Sequence, residues 1–285
     1  FPELGGQVND VSKIEIVTRL TQVTVERDPQ AAEGSGAVWR LQEKNGHPAR
    51  ADMVKRTVVG LADLELIEER TAQPEWHQHI NLTDPADKGT GVRVTVFGAD
   101  GNEAASLIAG KLESTTDIDG DGTIYVRRTT EDQSYVARGS FNLEQKAAAW
   151  LDSGVVDLAA GRVTRVEVAP AEGDSYVVER VAANSAETPT YQISNLPDDL
   201  QLVTDYAING IGNALVNLQF TDVQPVADIE FDAPTRTVFS TDDGLRVTVD
   251  AQRLSGGYFA TLNADASDDA SDAVKREAAA LGMRL

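Results

Sequence analysis

The sequence predicts an α+β protein of two tandem similar units, each of mainly antiparallel strands with two helices. Three observations carry that reading. Short segments alternate apolar and polar residues, the period of a half-buried strand. Those segments recur at a fixed offset: Val11-Ser-Lys-Ile-Glu-Ile16 answers Val163-Thr-Arg-Val-Glu-Val168, and Trp39 answers Tyr191, 152 positions apart in each case (11 to 163, 39 to 191). Each set of strands then runs into a stretch of helical period.

In the first set, Val11–Ile16 is followed by Gln22–Arg27 and by Val38-Trp39-Arg-Leu41. The second repeats this with Val163–Val168, Tyr176–Arg180 and Thr190-Tyr191-Gln-Ile193. After the turn-like Asn45-Gly46-His47-Pro48 comes a predicted helix over about Ala49–Leu66, with Val54, Val58 and Leu61 on one face. Its counterpart follows Leu196-Pro197-Asp198-Asp199 and presents Ile208, Ile211, Leu215 and Leu218. Gly60 in the first helix, and Gly210 and Gly212 in the second, each cost roughly 1 kcal/mol relative to Ala and mark close packing. Thr95-Val-Phe97 leads to Asp100-Gly101, and Thr237-Val-Phe239 leads to Asp243-Gly244, both hairpin signals. Further strands are predicted at Thr123–Arg128, Ser134–Arg138 and Gly257–Leu262. Closing helices are predicted at Asn142–Leu151, with Asn142 and Gln145 as a capping box, and at about Asp269–Leu281 after a loop over Asp265–Asp272. The division is placed at residues 1–155 and 156–285, with the junction near Ser153–Arg162; two separate sheets and one shared sheet both remain open.

Charge narrows the partners. The 285 residues carry 46 acidic and 25 basic side chains, a net charge of −21, with a pI near 4.4. Phosphate binding needs clustered Lys and Arg, so nucleic acid is excluded as a partner class, and so is plain adhesion to an anionic membrane. The chain has no cysteine, which excludes disulfides, thiolate zinc sites and cysteine nucleophiles. No apolar run of about 18 residues is present to span a membrane. The start at Phe1-Pro2-Glu3-Leu4, without Met, reads as a processed or trimmed chain.

The sharpest local motif is Asp117-Ile-Asp119-Gly-Asp121-Gly122. Asp117, Asp119 and Asp121 occupy positions one, three and five of a calcium loop, and Gly122 the turn position, so hard oxygen ligands could converge on Ca2+. Arg128 stands where the bidentate Glu of such a loop belongs, and the flanks read as strands. The competing reading is an acidic loop tip, where Asp and Gly serve turn geometry. No other cofactor is expected. His77-Gln-His79 offers two imidazoles with no third ligand nearby in sequence, and reads as a surface pair beside a packed Trp76; His47 falls in the turn. Lys111, Arg127 and Arg128 stand out against the acidic background, either as strand residues paired with local acids or as partner contacts. Serine-nucleophile elbows, phosphate loops and zinc-protease motifs are absent, and Gly210-Ile-Gly212 sits on a predicted helix, unlike a dinucleotide loop.

Taken in order, three groups of residues carry a family resemblance. They are Phe1-Pro-x-Leu4 with the strand Val11-x-x-Ile14-x-Ile16; Trp39-Arg-Leu41 with Gly46-His-Pro-Ala-Arg-Ala-Asp52; and Tyr125-Val-Arg-Arg128, Gln133-Ser-Tyr-Val136 and Ala149-Trp-Leu-Asp152. Together they resemble the bacterial family called domain of unknown function 4340, over about the first 155 residues and more weakly beyond. His47 stands where that family commonly has an aromatic, and the Asp117–Asp121 cluster is an addition of this sequence. The resemblance implies a soluble region behind an N-terminal membrane anchor, outside the cytoplasmic membrane, often encoded beside ABC-type transport components. It supplies no catalytic residues. The expected function is therefore a non-enzymatic extracytoplasmic binding or scaffold module, an accessory of an ABC-type transport system whose permease or ATPase would be its protein partner. The groove between the two halves is the expected working surface. A metal-dependent envelope hydrolase and a calcium-stabilised structural protein are the alternatives.

Overall fold

A computed structural model of the chain describes residues 1–6, 8–30, 38–114, 122–139, 143–181, 189–194 and 205–282. The chain forms two compact units, Phe1–Asp152 and Ser153–Leu285.

The first unit opens on a helical turn, α1 (Pro2–Gly5), and is built on strands β1 (Val11–Val17), β2 (Gln22–Arg27), β3 (Trp39–Leu41) and β4 (His47–Ala49). Helix α2 (Ala51–Ala62) and strand β5 (Glu65–Glu69) follow, then the short turn α3 (Pro74–His77) and strands β6 (Val92–Gly98), β7 (Glu103–Ser114), β8 (Thr123–Arg128) and β9 (Ser134–Arg138). They form one antiparallel nine-stranded sheet in the order β4-β3-β2-β1-β6-β7-β8-β9-β5. Alternation dictates its faces: Ile14 and Ile16 of β1 and Val94 and Val96 of β6 are buried on one side, as are Val54, Val58 and Leu61 on one stripe of α2. Within α2, the buried Thr57 hydroxyl donates to the Met53 carbonyl at 2.9 Å, so its burial leaves no unmet donor.

The second unit contains β10 (Gly154–Val156), β11 (Val163–Ala169), β12 (Tyr176–Arg180) and β13 (Tyr191–Ile193). After helix α4 (Asp205–Gly212) come β14 (Leu218–Gln219), β15 (Thr235–Thr241), β16 (Leu245–Leu254), β17 (Gly257–Ala266) and helix α5 (Asp272–Gly282). Six strands form an antiparallel sheet, β13-β12-β11-β15-β16-β17, and β10 pairs with β14 apart from it. Val166, Val178, Phe239, Val247, Ile208 and Leu215 belong to its core with Val274, Ala278 and Leu281 of α5. Tyr191 lies in that core under α4, and a Cβ on Gly212 would sit 2.4 Å from its ring. Gly212 is thus a contact glycine, as its position in the helix predicts, whereas Gly210 faces open space.

The mainly antiparallel α+β class holds, and several elements correct the sequence reading. The helix expected over Ala49–Leu66 stops at Ala62, and its last expected residues begin β5. The closing helix expected at Asn142–Leu151 is a single 3-10 turn, Ala147–Trp150; Asn142 of the expected capping box lies outside the described residues. Trp150 explains the short turn: it is fully buried and its indole donates to the Glu144 carbonyl at 3.0 Å, so an anchored side chain, not helical propensity, shapes the segment. Leu215 and Leu218 fall beyond the end of α4, and Asp265 belongs to β17, which runs four residues past its expected end at Leu262.

Candidate functional site

Asp117, Asp119 and Asp121 lie outside the described residues. Their frame is described: β7 ends at Ser114 and β8 starts at Thr123, so the acidic segment joins two antiparallel strands, where a helix–loop–helix calcium site would have helices. Among the described residues, no group of three or more His, Cys, Asp or Glu side chains is placed to hold a metal ion.

At the root of that hairpin the sheet carries a polar cluster that single-residue motifs could not disclose. The Tyr125 hydroxyl donates to Glu113 Oε1 at 3.0 Å. Arg70, just past β5, pairs with the same Glu113 and with Glu68 at 3.0 Å, and its guanidinium lies 5.8 Å from the Tyr125 ring centroid. Burial, then the hydrogen bond to the Glu113 carboxylate, push the Tyr125 phenol pKa up. The phenol therefore stays protonated at neutral pH and acts as a donor. Arginine engages both carboxylates, so this is an ion-pair clasp across β7, β8 and the end of β5.

The basic and imidazole candidates have structural work. Arg127 is buried, and its partners are backbone carbonyls, not the local acids: Nε donates to Leu82 at 2.9 Å, Nη1 to Arg128 and Glu131 at 3.2 Å each. Through Leu82 it ties the segment from Pro74 to Gly91 to β8. Gly110 of β7 permits the contact, since a Cβ there would sit 2.2 Å from the Ile80 carbonyl oxygen. Arg128 lies outside, with its guanidinium 4.9 Å from the Phe1 ring, and Lys111 is exposed on β7. The expected surface pair beside a packed tryptophan is reversed: His77 is 3% exposed and bonds the Asp132 carbonyl at 2.9 Å, while Trp76 is 54% exposed. Trp76 is held by Gln73 at 2.8 Å and rests on His79. His47, half-buried in β4, has its pKa lowered by burial more than the Asp152 carboxylate raises it. An open cleft of about 510 Å³ near Thr21 is lined chiefly by the single segment Leu143–Lys146, with no converging groups.

The two edges of the nine-stranded sheet differ. At β4, Pro48 lies in the strand and the chain returns to cover it: Ala49 bridges Leu151, Arg50 N–H donates to the Trp150 carbonyl at 2.8 Å, and Asp152 N–H donates to that of Pro48 at 2.9 Å. At β5, Glu65-Leu-Ile-Glu-Glu69 pairs only with β9 among the described residues, and all five side chains are exposed. Leu66 is 51% and Ile67 45% exposed. Leu66 ends a cross-strand row with Ala137, Ile124 and Leu112; the middle pair is buried and Leu112 is exposed at the far end. An open edge with exposed apolar side chains suits addition of an extended strand. Sequence reasoning missed it because Leu66 was counted into the helix; the signal was the Glu-Leu-Ile-Glu-Glu run after Asp63.

A family model described as "Domain of unknown function (DUF4340)" matches residues 39–235. No curated protein and no solved structure matches the chain. No helix among the described residues is long and apolar enough to cross a membrane.

Proposed function

The chain belongs to the domain of unknown function 4340 family, and from that premise we propose that it is a non-enzymatic binding or scaffold module, anchored to the inner membrane on its extracytoplasmic side, that serves an ABC-type transport system. The observation that carries the reading is the β5 edge, a five-residue strand with every side chain exposed and Leu66 and Ile67 facing solvent. Such an edge recognises an extended segment through backbone hydrogen bonds, with apolar contacts to alternate side chains. Glu65 pairs with Arg138 at 3.4 Å and Glu68 with Arg70 at 3.0 Å, and the exposed Glu69 beside them favours a segment bearing a basic residue. The resemblance supplies the transport setting. A photo-crosslinker at Ile67 of the full-length protein in native membranes should capture a permease or ATPase subunit, and one at Pro48, on the covered edge, should not. Equal yields at both positions, or no transporter subunit at either, would refute the assignment.

The reading extends to architecture: the units are tandem copies of one α+β design. The order β3-β2-β1-β6-β7-β8 is matched by β13-β12-β11-β15-β16-β17. The pairing of β1 with β6 shifts register between Val11 and Lys13, and that of β11 with β15 between Val163 and Arg165, at the same 152-position offset. Gly60 in α2 and Gly212 in α4 keep that offset, as do Trp39 and Tyr191.

A further inference from the structure

We infer that β17 is a self-pairing edge: two copies of this chain join antiparallel along β17, about a two-fold axis normal to the sheet, into one continuous sheet. β17 ends the six-stranded sheet and pairs with β16 without a register shift from Leu245↔Ala266 to Leu254↔Gly257. Its other side meets no strand among the described residues. At about 3.4 Å per residue, its ten residues present roughly 34 Å of backbone donors and acceptors.

Exposed edges are ordinarily blunted by Lys, Pro, bulges or a covering segment. The first unit uses such devices at β4, where Pro48 lies in the strand under a returning chain. β17 has none of them. It reads Gly257-Tyr-Phe-Ala-Thr-Leu-Asn-Ala-Asp-Ala266, with Asp265 its single charge. A neutral edge gives an acidic or basic peptide nothing to select.

The exposure pattern selects a second copy. On the face under α5, Leu262, Ala264 and Ala266 pack against the core, while Tyr258 and Ala260 on that same face are exposed, Tyr258 by 81%. A two-fold normal to the sheet preserves faces, so opposed residues share parity. Pairing centred on Leu262 sets Tyr258 of each copy beside Ala266 of the other, and Ala260 beside Ala264. The bare half of each strand then lies against the helix-covered half of its mate. Asp265 falls opposite Phe259, so no like charges meet across the seam.

Sedimentation equilibrium of the 285-residue chain should show reversible association toward twice its 30.5 kDa mass. Each copy carries −21 charges, so association should strengthen as salt screens their repulsion. Amides of 257–266 should gain hydrogen-exchange protection with protein concentration. Ala260→Lys, at an exposed position, should weaken association on the order of tenfold or more by burying an unpaired ammonium. It lowers the net charge, so weakening could not come from long-range repulsion. Tyr258→Ser should weaken association severalfold, and Ile67→Lys on β5 should leave it unchanged. Circular dichroism checks that each variant folds. A monomer at every concentration and salt, or a dimer indifferent to Ala260→Lys, would overturn the inference, as would a dimer broken by Ile67→Lys alone.

Discussion

In the first unit the order β3-β2-β1-β6-β7-β8 continues through β9 to β5, whereas in the second the order β13-β12-β11-β15-β16-β17 stops at its sixth strand. The strand in the sixth place, β8 or β17, is therefore interior in one sheet and terminal in the other. The elements around it differ accordingly. β8 carries Arg127, which ties a long segment to it through Leu82, and β9 closes its edge. β17 receives α5 on its core face and keeps its edge open among the described residues. Similar frames can thus be finished in different ways, and the edge, not the core, is where the units diverge chemically: Glu-rich at β5, neutral at β17.

The most disruptive way to break this contrast is to remove the finishing device of the first unit. Arg127→Ala would remove one buried and two part-buried hydrogen bonds to backbone carbonyls, of which that of Arg128 keeps the Glu131 N–H at 3.3 Å, at a cost on the order of 3 kcal/mol. Denaturant unfolding would measure the loss. Hydrogen exchange should show the gain in exposure confined to Pro74–Gly91 and β8, with β11 to β17 unchanged. Uniform loss of protection throughout both units would contradict an assignment of Arg127 to local fastening.

A smaller effect sharpens the comparison. Gly212→Ala should destabilise by about 1–3 kcal/mol, because the new Cβ meets the Tyr191 ring, which cannot retreat freely: it is buried and its hydroxyl donates to the Val163 carbonyl at 2.9 Å. Gly60 is buried in α2 at the matching position. If the units are copies, Gly60→Ala should be destabilising to a similar degree through Trp39. A stability change at Gly212 with none at Gly60, read from thermal unfolding, would count against the copy reading.

The sequence exposed much of the frame and little of the edges. Val11–Val17 was legible because the buried Ile14 and Ile16 alternate with polar residues, Gln22–Arg27 because Val23 and Val25 do the same in sequence, and the Asp-Gly turns because a positive φ selects glycine at Gly101 and Gly244. Leu66 and Ile67 were opaque for the converse reason: a strand exposed on both faces has no period to read. Arg127 was misread because local acids are visible in sequence, whereas the carbonyl of Leu82, 45 positions away, is not. His77 and Trp76 exchanged roles because the hydrogen bond to Asp132 depends on a long-range return of the chain.

The smallest predicted effect separates the two Asp-Gly turns. Asp243 accepts from the Thr241 hydroxyl and pairs with Arg162 at 2.9 Å, and Arg162 also grips Glu277 of α5 at 2.7 Å. The Thr241 hydrogen bond first, and then Arg162, hold the Asp243 pKa below its ordinary value. A carboxylate depressed in the folded state stabilises above its unfolded pKa, near ~3.9, and that stability is lost as pH falls through the folded value. Asp100 is also depressed, but by the side chain and backbone N–H of Asn102, without an arginine. Asp243→Asn should therefore cost about 0.5 kcal/mol at neutral pH, discounted for a partly exposed pair, with the difference from the parent shrinking as acid protonates Asp243. High salt should erase the share of the Asp243 effect that rests on the Arg162 ion pair, and leave any effect of Asp100→Asn largely in place, since that turn rests on neutral donors. Thermal unfolding across pH and salt reads both. Equal salt sensitivity at the two turns would mean that the link from Arg162 to α5 adds nothing, and that the turns stabilise their hairpins in the same way.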